Sequence, residues 1–172
     1  SKNNSLFEIK FFILSYILLI SIDRIMKIDF RERSTYFKGL LLLIKQDKVI
    51  EEAERGLMQK VGKTLGFERE FIQSSIDNLL ANQYITDDIP KFSSKVIAES
   101  FLLDGLKLAF SDNDFSPDEI EYLSKIAEQN GLDSEWFSSL LKSYLTHFET
   151  LNDNSFLFIE NYLEEDISKV AQ

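Results

Sequence analysis

The sequence contains no cysteine, two prolines, six glycines and a single histidine in 172 residues. Without cysteine, disulfide bonds, thiolate metal sites and a cysteine nucleophile are excluded, and a reducing compartment such as the cytoplasm is favoured. Sheet proteins need more turn residues than this, so the scarcity of glycine and proline favours helices. Acidic residues outnumber basic ones by 29 to 19, for a net charge of −10. Such a surface repels phosphate backbones, so nucleic acid is not expected as a partner.

The hydrophobic content fits one folded domain, and the motifs of common enzyme classes are missing from the sequence. Hydrophobic residues make up 44% of the chain, which suffices for a packed core. The sequence has no glycine-rich phosphate loop, no nucleophile elbow and no zinc-protease motif. The one histidine, His147, lies late in a predicted helix, where a structural or surface role is expected. We therefore expect no catalytic activity.

Apolar residues recur at the three- and four-residue spacing of amphipathic helices along most of the chain. After residue 30, the pattern predicts helices at residues 31–46, 51–65, 68–81, 94–110, 117–131, 133–147 and 152–170. Gly66 and Gly131 each follow a predicted helix and suit the left-handed position that ends many helices. Ser116, Pro117 and Glu119 have the capping-box pattern of a helix start.

The chain repeats itself with a shift of 65 residues. Residues 39–54 align with residues 104–119 without a gap, and apolar positions continue to match beyond this window. Three helices bury an amphipathic face poorly alone, so the two copies are expected to pack together. The prediction is an all-α, compact bundle of about seven to eight helices, built from two repeated three-helix units with pseudo-two-fold symmetry.

The repeat also predicts a division of the chain. Residues 1–30 form an N-terminal apolar helix or extension, and residues 31–172 form the helical domain. That domain comprises repeat A at 31–81, a linker at 82–93, repeat B at 94–146 and a C-terminal helix at 152–170. Asp87, Asp88 and Pro90 indicate that the linker is a loop.

The chain resembles the TerB-like family linked to tellurite resistance in two motifs. These are L-L-L-I-x-x-D-x-x-I-x-x-x-E in the first copy and L-D-G-L-x-x-A-x-x-D-x-x-x-S-P-x-E in the second. The resemblance covers roughly residues 31–146. It implies an all-helical, bacterial, cytoplasmic domain that acts in the response to metal, tellurite or chemical stress, with a divalent cation bound at acidic positions. In this sequence those positions are Asp47, Glu54, Asp112 and Glu119. Lys48 and Asn113 stand where the usual motif has glycine after the loop aspartate.

Two interpretations of the acidic positions remain open. In the first, Asp112, Asp114 and Glu119 supply carboxylate oxygens to Ca²⁺ or Mg²⁺. A regular EF-hand is excluded, because Pro117 and Leu123 stand where its loop needs glycine and glutamate. In the second, the same carboxylates cap helices, since acidic groups in a first turn favour the helix dipole and a glutamate at the third helical position accepts the backbone N–H of the cap residue.

A long apolar run lies outside the repeat, at residues 11–22, beginning with Phe11 and ending with Ile22. It is shorter than the ~20 residues that a membrane span requires. A buried helix or a subunit contact is therefore favoured over membrane contact. This run carries the alternative hypothesis of a metal-free interaction scaffold that forms a homodimer or docks a protein partner.

Overall fold

The computed structural model describes residues 28–81, 86, 88–111, 115–151 and 156–163. These residues form α-helices and one 3-10 helix, with no β-strand among them. The α-helices are α1 (Phe30–Lys45), α2 (Glu52–Thr64), α3 (Arg69–Asp77), α4 (Lys95–Ala109), α5 (Pro117–Gln129) and α6 (Ser134–Leu151). The 3-10 helix covers Phe158–Tyr162. The prediction of an all-α protein is confirmed.

Side chains just outside the helices explain where several of them begin. The carboxylate of Asp29 accepts the backbone N–H of Glu32 at 2.8 Å, which starts α1. Ser94 accepts the N–H of Ile97 at 3.3 Å at the start of α4. Glu32 also holds the end of the linker, because its carboxylate accepts the N–H and the hydroxyl of Ser93 at 2.7 and 2.8 Å.

Glycines end α2 and α5, as the sequence predicts. Gly66 has φ +84° and Gly131 has φ +63°, in the left-handed region that costs other residues strain. The next residue in each case, Phe67 or Leu132, donates its N–H to a carbonyl five residues back at 3.0 Å. Each helix thus ends in a Schellman motif that turns the chain into the following helix.

The core lies around the pair α1 and α4. Helix α1 contacts α2, α4 and α5, and α4 contacts α1, α2 and α5, while α3 packs on α2 and α6 packs on α5. The pair approaches closely because Gly39 of α1 has no side chain: a Cβ there would lie 2.8 Å from the Phe101 ring. The buried faces carry most of the apolar residues that the helical spacing identified.

The helices in the two halves of the chain have matching starts. Helices α1, α2 and α3 begin at residues 30, 52 and 69, and α4, α5 and α6 begin at 95, 117 and 134, in each case 65 positions later. The two halves differ in their third helix, since α3 ends at Asp77 and α6 continues to Leu151, with a non-helical residue at His147. The predicted third helix at 68–81 is therefore too long, because residues 78–81 form turns.

Residues 156–163, the described part of the chain after α6, also differ from the prediction. The sequence predicts a C-terminal helix at 152–170, but within the described part residues 158–162 form a 3-10 helix whose first two amides bond to a side chain. Glu160 accepts the N–H of Leu157 at 3.1 Å, and Asp104 of α4 accepts the N–H groups of Phe158 and Ile159. Because these side chains satisfy the amides, this segment can follow the surface of α4 without a regular α-helix.

The chain divides into two units. One comprises Asp29–Glu160, and the other comprises Ser1–Ile28 with Asn161–Gln172. In the second unit the N–H of Ile28 donates to the carbonyl of Tyr162 at 3.4 Å. None of the helices that the structure describes is long and apolar enough to cross a bilayer.

Candidate functional site

Two of the predicted metal ligands, Glu54 and Glu119, occupy the same place in their helices. Each is the third residue of its helix and closes a capping box. Oε2 of Glu54 accepts the N–H of Glu51 at 2.8 Å, and Oε2 of Glu119 accepts the N–H of Ser116 at 2.8 Å. Both side chains are buried, with 3% and 2% of their surface exposed. The capping interpretation therefore describes what these two carboxylates do in the fold.

The structure describes only one of the remaining predicted ligands, Asp47. Asp47 lies in an exposed turn after α1. Asp112 and Asp114 lie outside the described residues. Within the part of the chain that the structure describes, no three histidine, aspartate or glutamate side chains are grouped to hold a metal ion. A cation at the junction before α5 thus stays a prediction.

Other predicted elements can be placed only in part. His147 is exposed and sits at the non-helical position within α6. The apolar run at residues 11–22 lies outside the described residues, so dimerisation, docking or membrane contact through it stays a prediction.

A buried carboxylate that the sequence analysis did not single out is Asp104 of α4. It is 1% exposed and accepts three hydrogen bonds: from the Tyr36 hydroxyl at 2.7 Å, the Phe158 N–H at 2.7 Å and the Ile159 N–H at 3.1 Å. These donors come from α1 and from the 3-10 segment, so Asp104 joins three parts of the fold. A signal was available, because Asp104 interrupts the otherwise apolar run F-L-L-D-G-L.

The surroundings of Asp104 change the pKa of its carboxyl group. Burial raises the pKa of Asp104 from 3.8 to about 6, although the hydrogen bonds from Phe158, Tyr36 and Ile159 and the charge of Lys107 oppose that rise. Burial, aided by the charge of Asp104, raises the pKa of Tyr144 to about 12.

Lys107, one turn after Asp104, also contacts the C-terminal segment. Its ammonium donates to the carbonyl of Phe156 and lies 5.1 Å from the ring centroid of Phe158. Strongly shifted carboxylates often mark functional sites. Here the bonds of Asp104 and Lys107 run to groups of the protein itself, so the pair anchors residues 156–159 to α4.

An open groove lies between α1 and α3, with a volume of about 480 Å³. We refer to it as the aromatic groove. From α1 it is lined by Ser34, Phe37, Lys38 and Leu41. From α3 and the residues on either side of that helix, the lining is Phe67, Phe71, Ser74, Ser75 and Asn78. Phe71 is half exposed, at 50%, although it belongs to the apolar set of its helix.

A second depression adjoins the aromatic groove at Phe67 and has a volume of about 440 Å³. We refer to it as the basic hollow. Its lining is Gln59, Lys63, Phe67, Arg69, Ile72 and Gln73. Adding 65 to each of these numbers gives 124, 128, 132, 134, 137 and 138, and all six of those residues line another depression, between α5 and α6. In this second hollow Glu128 and Ser134 replace Lys63 and Arg69.

No protein-family model matches this chain, and neither a curated protein nor a solved structure matches it.

Proposed function

We propose that this chain is a non-enzymatic helical interaction domain of TerB-like type that binds a protein partner in the aromatic groove. The observation that carries the proposal is the half-exposed Phe71 at the edge of an open groove between two helices. Apolar surface of this kind, bordered by polar residues such as Ser34 and Ser74, is typical of protein interaction sites. The proposal includes the cytoplasmic location that the TerB-like resemblance implies.

The proposal includes an origin by duplication of a three-helix unit, arranged with pseudo-two-fold symmetry. Three features support it: the helix starts 65 positions apart, the paired capping boxes at Glu54 and Glu119, and the paired Schellman motifs at Gly66 and Gly131. A duplicated unit would supply two equivalent faces, and the aromatic groove lies on the face of the first half.

A matched pair of variants tests the interaction proposal. Phe71→Ser removes the exposed ring from the groove, whereas Leu145→Ser removes an equally exposed apolar side chain, at 51%, that lines neither the groove nor the hollows. Proteins captured from extracts of the source cells would be compared by mass spectrometry. We expect at least one partner to be retained by wild type and Leu145→Ser and lost with Phe71→Ser. Identical partner sets for all three proteins would contradict the proposal.

A second candidate function is binding of Ca²⁺ or Mg²⁺ at the junction before α5, as part of a stress response. The observation that favours it is the position of Glu119, whose buried carboxylate is fixed by its capping box at the end of the loop that contains Asp112 and Asp114. A fixed carboxylate beside further oxygen ligands is what a hard cation requires.

Calorimetric titration with calcium and with magnesium tests the cation candidate. Saturable heat in the wild type that disappears in Asp112→Asn would place the cation in that loop. Asp47→Asn is the matched control, because Asp47 holds the equivalent position in the first copy. Absence of heat in the wild type would leave Glu54 and Glu119 as helix caps alone.

A further inference from the structure

We propose that the occupant of the aromatic groove is an acidic amphipathic helix of a partner protein. Its apolar side chains would lie against Phe37, Phe67 and Phe71, and its carboxylates would face Lys38, Lys63 and Arg69. The inference rests on the proposed interaction function and adds the chemistry of the partner.

The lining residues have the spacing that a helix needs. Along α1 the lining residues recur at steps of three or four: Ser34, then Phe37 or Lys38, then Leu41. Along α3 the lining residues have the same spacing: Phe71, then Ser74 or Ser75, then Asn78 just after the helix. Each strip covers about 10 Å, or two helical turns, so the groove can hold two to three turns of a third helix. Docking of an amphipathic helix into an apolar groove is a recurrent mode of recognition.

The floor of the groove is aromatic. The ring centroid of Phe67 lies 5.2 Å from that of Phe37 and 5.2 Å from that of Phe71. Phe30, whose side chain is 74% exposed, extends this row with its centroid 5.9 Å from Phe67. Aromatic side chains grouped in this way supply much of the binding free energy at protein interfaces.

The charged side chains among the described lining residues of the groove and the basic hollow are all cationic. Lys38 lines the groove, where it donates to the Thr86 hydroxyl at 3.0 Å, and Lys63 and Arg69 line the adjoining basic hollow. Among the residues that the structure describes, no carboxylate lines either of them.

Glu68 and Glu70 line neither depression. Asp77 accepts a hydrogen bond from Gln73 of the basic hollow at 2.9 Å, and its charge is paired with Arg55 at 2.6 Å. This local arrangement contrasts with the net charge of −10 of the whole chain. A partner surface of negative charge is therefore complementary here, although most of this protein would repel it.

The equivalent depression in the second half supports this reading. There Glu128 occupies the position of Lys63 and Ser134 that of Arg69, and Asp133 and Lys95 also line the depression. The backbone scaffold is shared, so the cations of the basic hollow are not required for folding the helix pair. A charge difference at corresponding surface positions indicates a difference in what the two surfaces contact.

Three synthetic peptides of about 18 residues provide the probe, a length that exceeds the groove. All three carry leucine at the same three- and four-residue spacing, and their polar positions are all glutamate, all glutamine or all lysine. Fluorescence polarisation with the full chain at low salt measures binding. We expect the glutamate peptide to bind about fivefold to tenfold more tightly than the glutamine peptide, and the lysine peptide to bind most weakly. The preference should shrink at about 0.5 M salt because the charges are exposed.

Charge reversal identifies the cations involved. The double variant Lys63→Glu with Arg69→Glu should lose the preference for the glutamate peptide. Its matched control is Lys91→Glu with Lys142→Glu, which changes the net charge equally at exposed lysines outside both depressions and should keep the preference. Phe71→Ser should weaken binding of all peptides. Urea unfolding of each variant confirms that it is folded before binding is compared.

The outcomes separate this inference from the proposed function. Equal binding of the glutamate and glutamine peptides, with loss in Phe71→Ser, would overturn the acidic partner and leave the groove as an interaction site. A preference that survives in Lys63→Glu with Arg69→Glu would also overturn it. No difference between wild type and Phe71→Ser for any peptide would overturn groove binding altogether. Self-association of the full chain that Phe71→Ser abolishes would make a second copy the occupant and overturn the separate partner.

Discussion

The two halves of this domain share helix positions but present different surfaces. In the first half, the depression between α2 and α3 carries Lys63 and Arg69, and in the second half the corresponding depression carries Glu128 and Ser134. Both halves begin their second helix with a capping box and end it with a left-handed glycine. Caps and apolar positions therefore determine the helix arrangement, while surface charge varies without disturbing it.

The halves differ most at one pair of buried positions. Asp104 of α4 holds the amides of Phe158 and Ile159, whereas the position 65 residues earlier is Gly39, whose missing side chain admits the Phe101 ring. At this position the second half has a carboxylate that anchors residues 158–159, whereas the first half has a glycine that allows α1 and α4 to pack closely. Substitutions at such corresponding positions test how far the halves are equivalent.

The largest effect is expected for Asp104→Ala. The change leaves the Tyr36 hydroxyl and two backbone N–H groups without their acceptor in the interior, which should lower the free energy of unfolding by about 3–4 kcal/mol. Urea unfolding measures it. Asp133→Ala is the control, because its exposed carboxylate accepts one cap N–H, from Trp136, and should cost only about 1 kcal/mol. Similar costs for both variants would show that Asp104 is not an anchor.

The titration of Asp104 should appear in the dependence of stability on pH. Its pKa of about 6 in the folded protein exceeds the ordinary 3.8, so the native state favours the protonated form. This contribution to stability is complete below pH 3.8 and is lost as the pH rises through 6. From pH 7 to pH 4, the unfolding free energy of wild type should rise relative to Asp104→Asn by up to about 3 kcal/mol. Tyr144, with a pKa of about 12, does not titrate in this window. Parallel pH profiles would contradict the shifted pKa.

Two glycines of α2 should respond oppositely to alanine. A Cβ at Gly62 would lie 2.6 Å from Ile72 Cγ1, so Gly62→Ala should lower the free energy of unfolding by about 1–2 kcal/mol through overpacking. A Cβ at Gly56 meets nothing within 4 Å, so Gly56→Ala should raise it by about 0.5–1 kcal/mol through helix propensity. The second half already has Ala127 where the first has Gly62. Stabilisation by both substitutions, measured in urea, would show that α3 can move away from α2.

A last and small effect tests whether the two capping glutamates are equivalent. Glu54→Ala and Glu119→Ala should each lower the free energy of unfolding by about 1 kcal/mol, because each removes one cap interaction. Thermal unfolding of both variants, with and without millimolar calcium, makes the comparison. Calcium that stabilises wild type and Glu54→Ala but not Glu119→Ala would show that the second junction does more than cap a helix.

Local signals in the sequence predicted the framework of this fold. The start of α5 at Pro117 after Ser116, and the glycines at 66 and 131, were predicted because capping groups and left-handed residues act on their neighbours in the chain. The period of apolar residues placed α1, α2, α4 and α5 to within a residue or two of their observed bounds. The candidate site was predicted less well, because nothing local distinguishes a capping carboxylate from a metal ligand.

By itself, the sequence determined the all-helical class, most helix ends and the 65-residue correspondence between the halves, since these follow from short-range periodicity and capping. Only the tertiary structure decided that Asp104 meets Tyr36 and the amides of residues 158–159, that this segment is a 3-10 helix, and that an open groove beside Phe71 lies next to Lys63 and Arg69. Those features depend on contacts between residues up to 68 positions apart, which arise only when helices pack. Burial raises the pKa of Asp104 and encloses the capping carboxylates of Glu54 and Glu119, and burial is likewise a result of that packing.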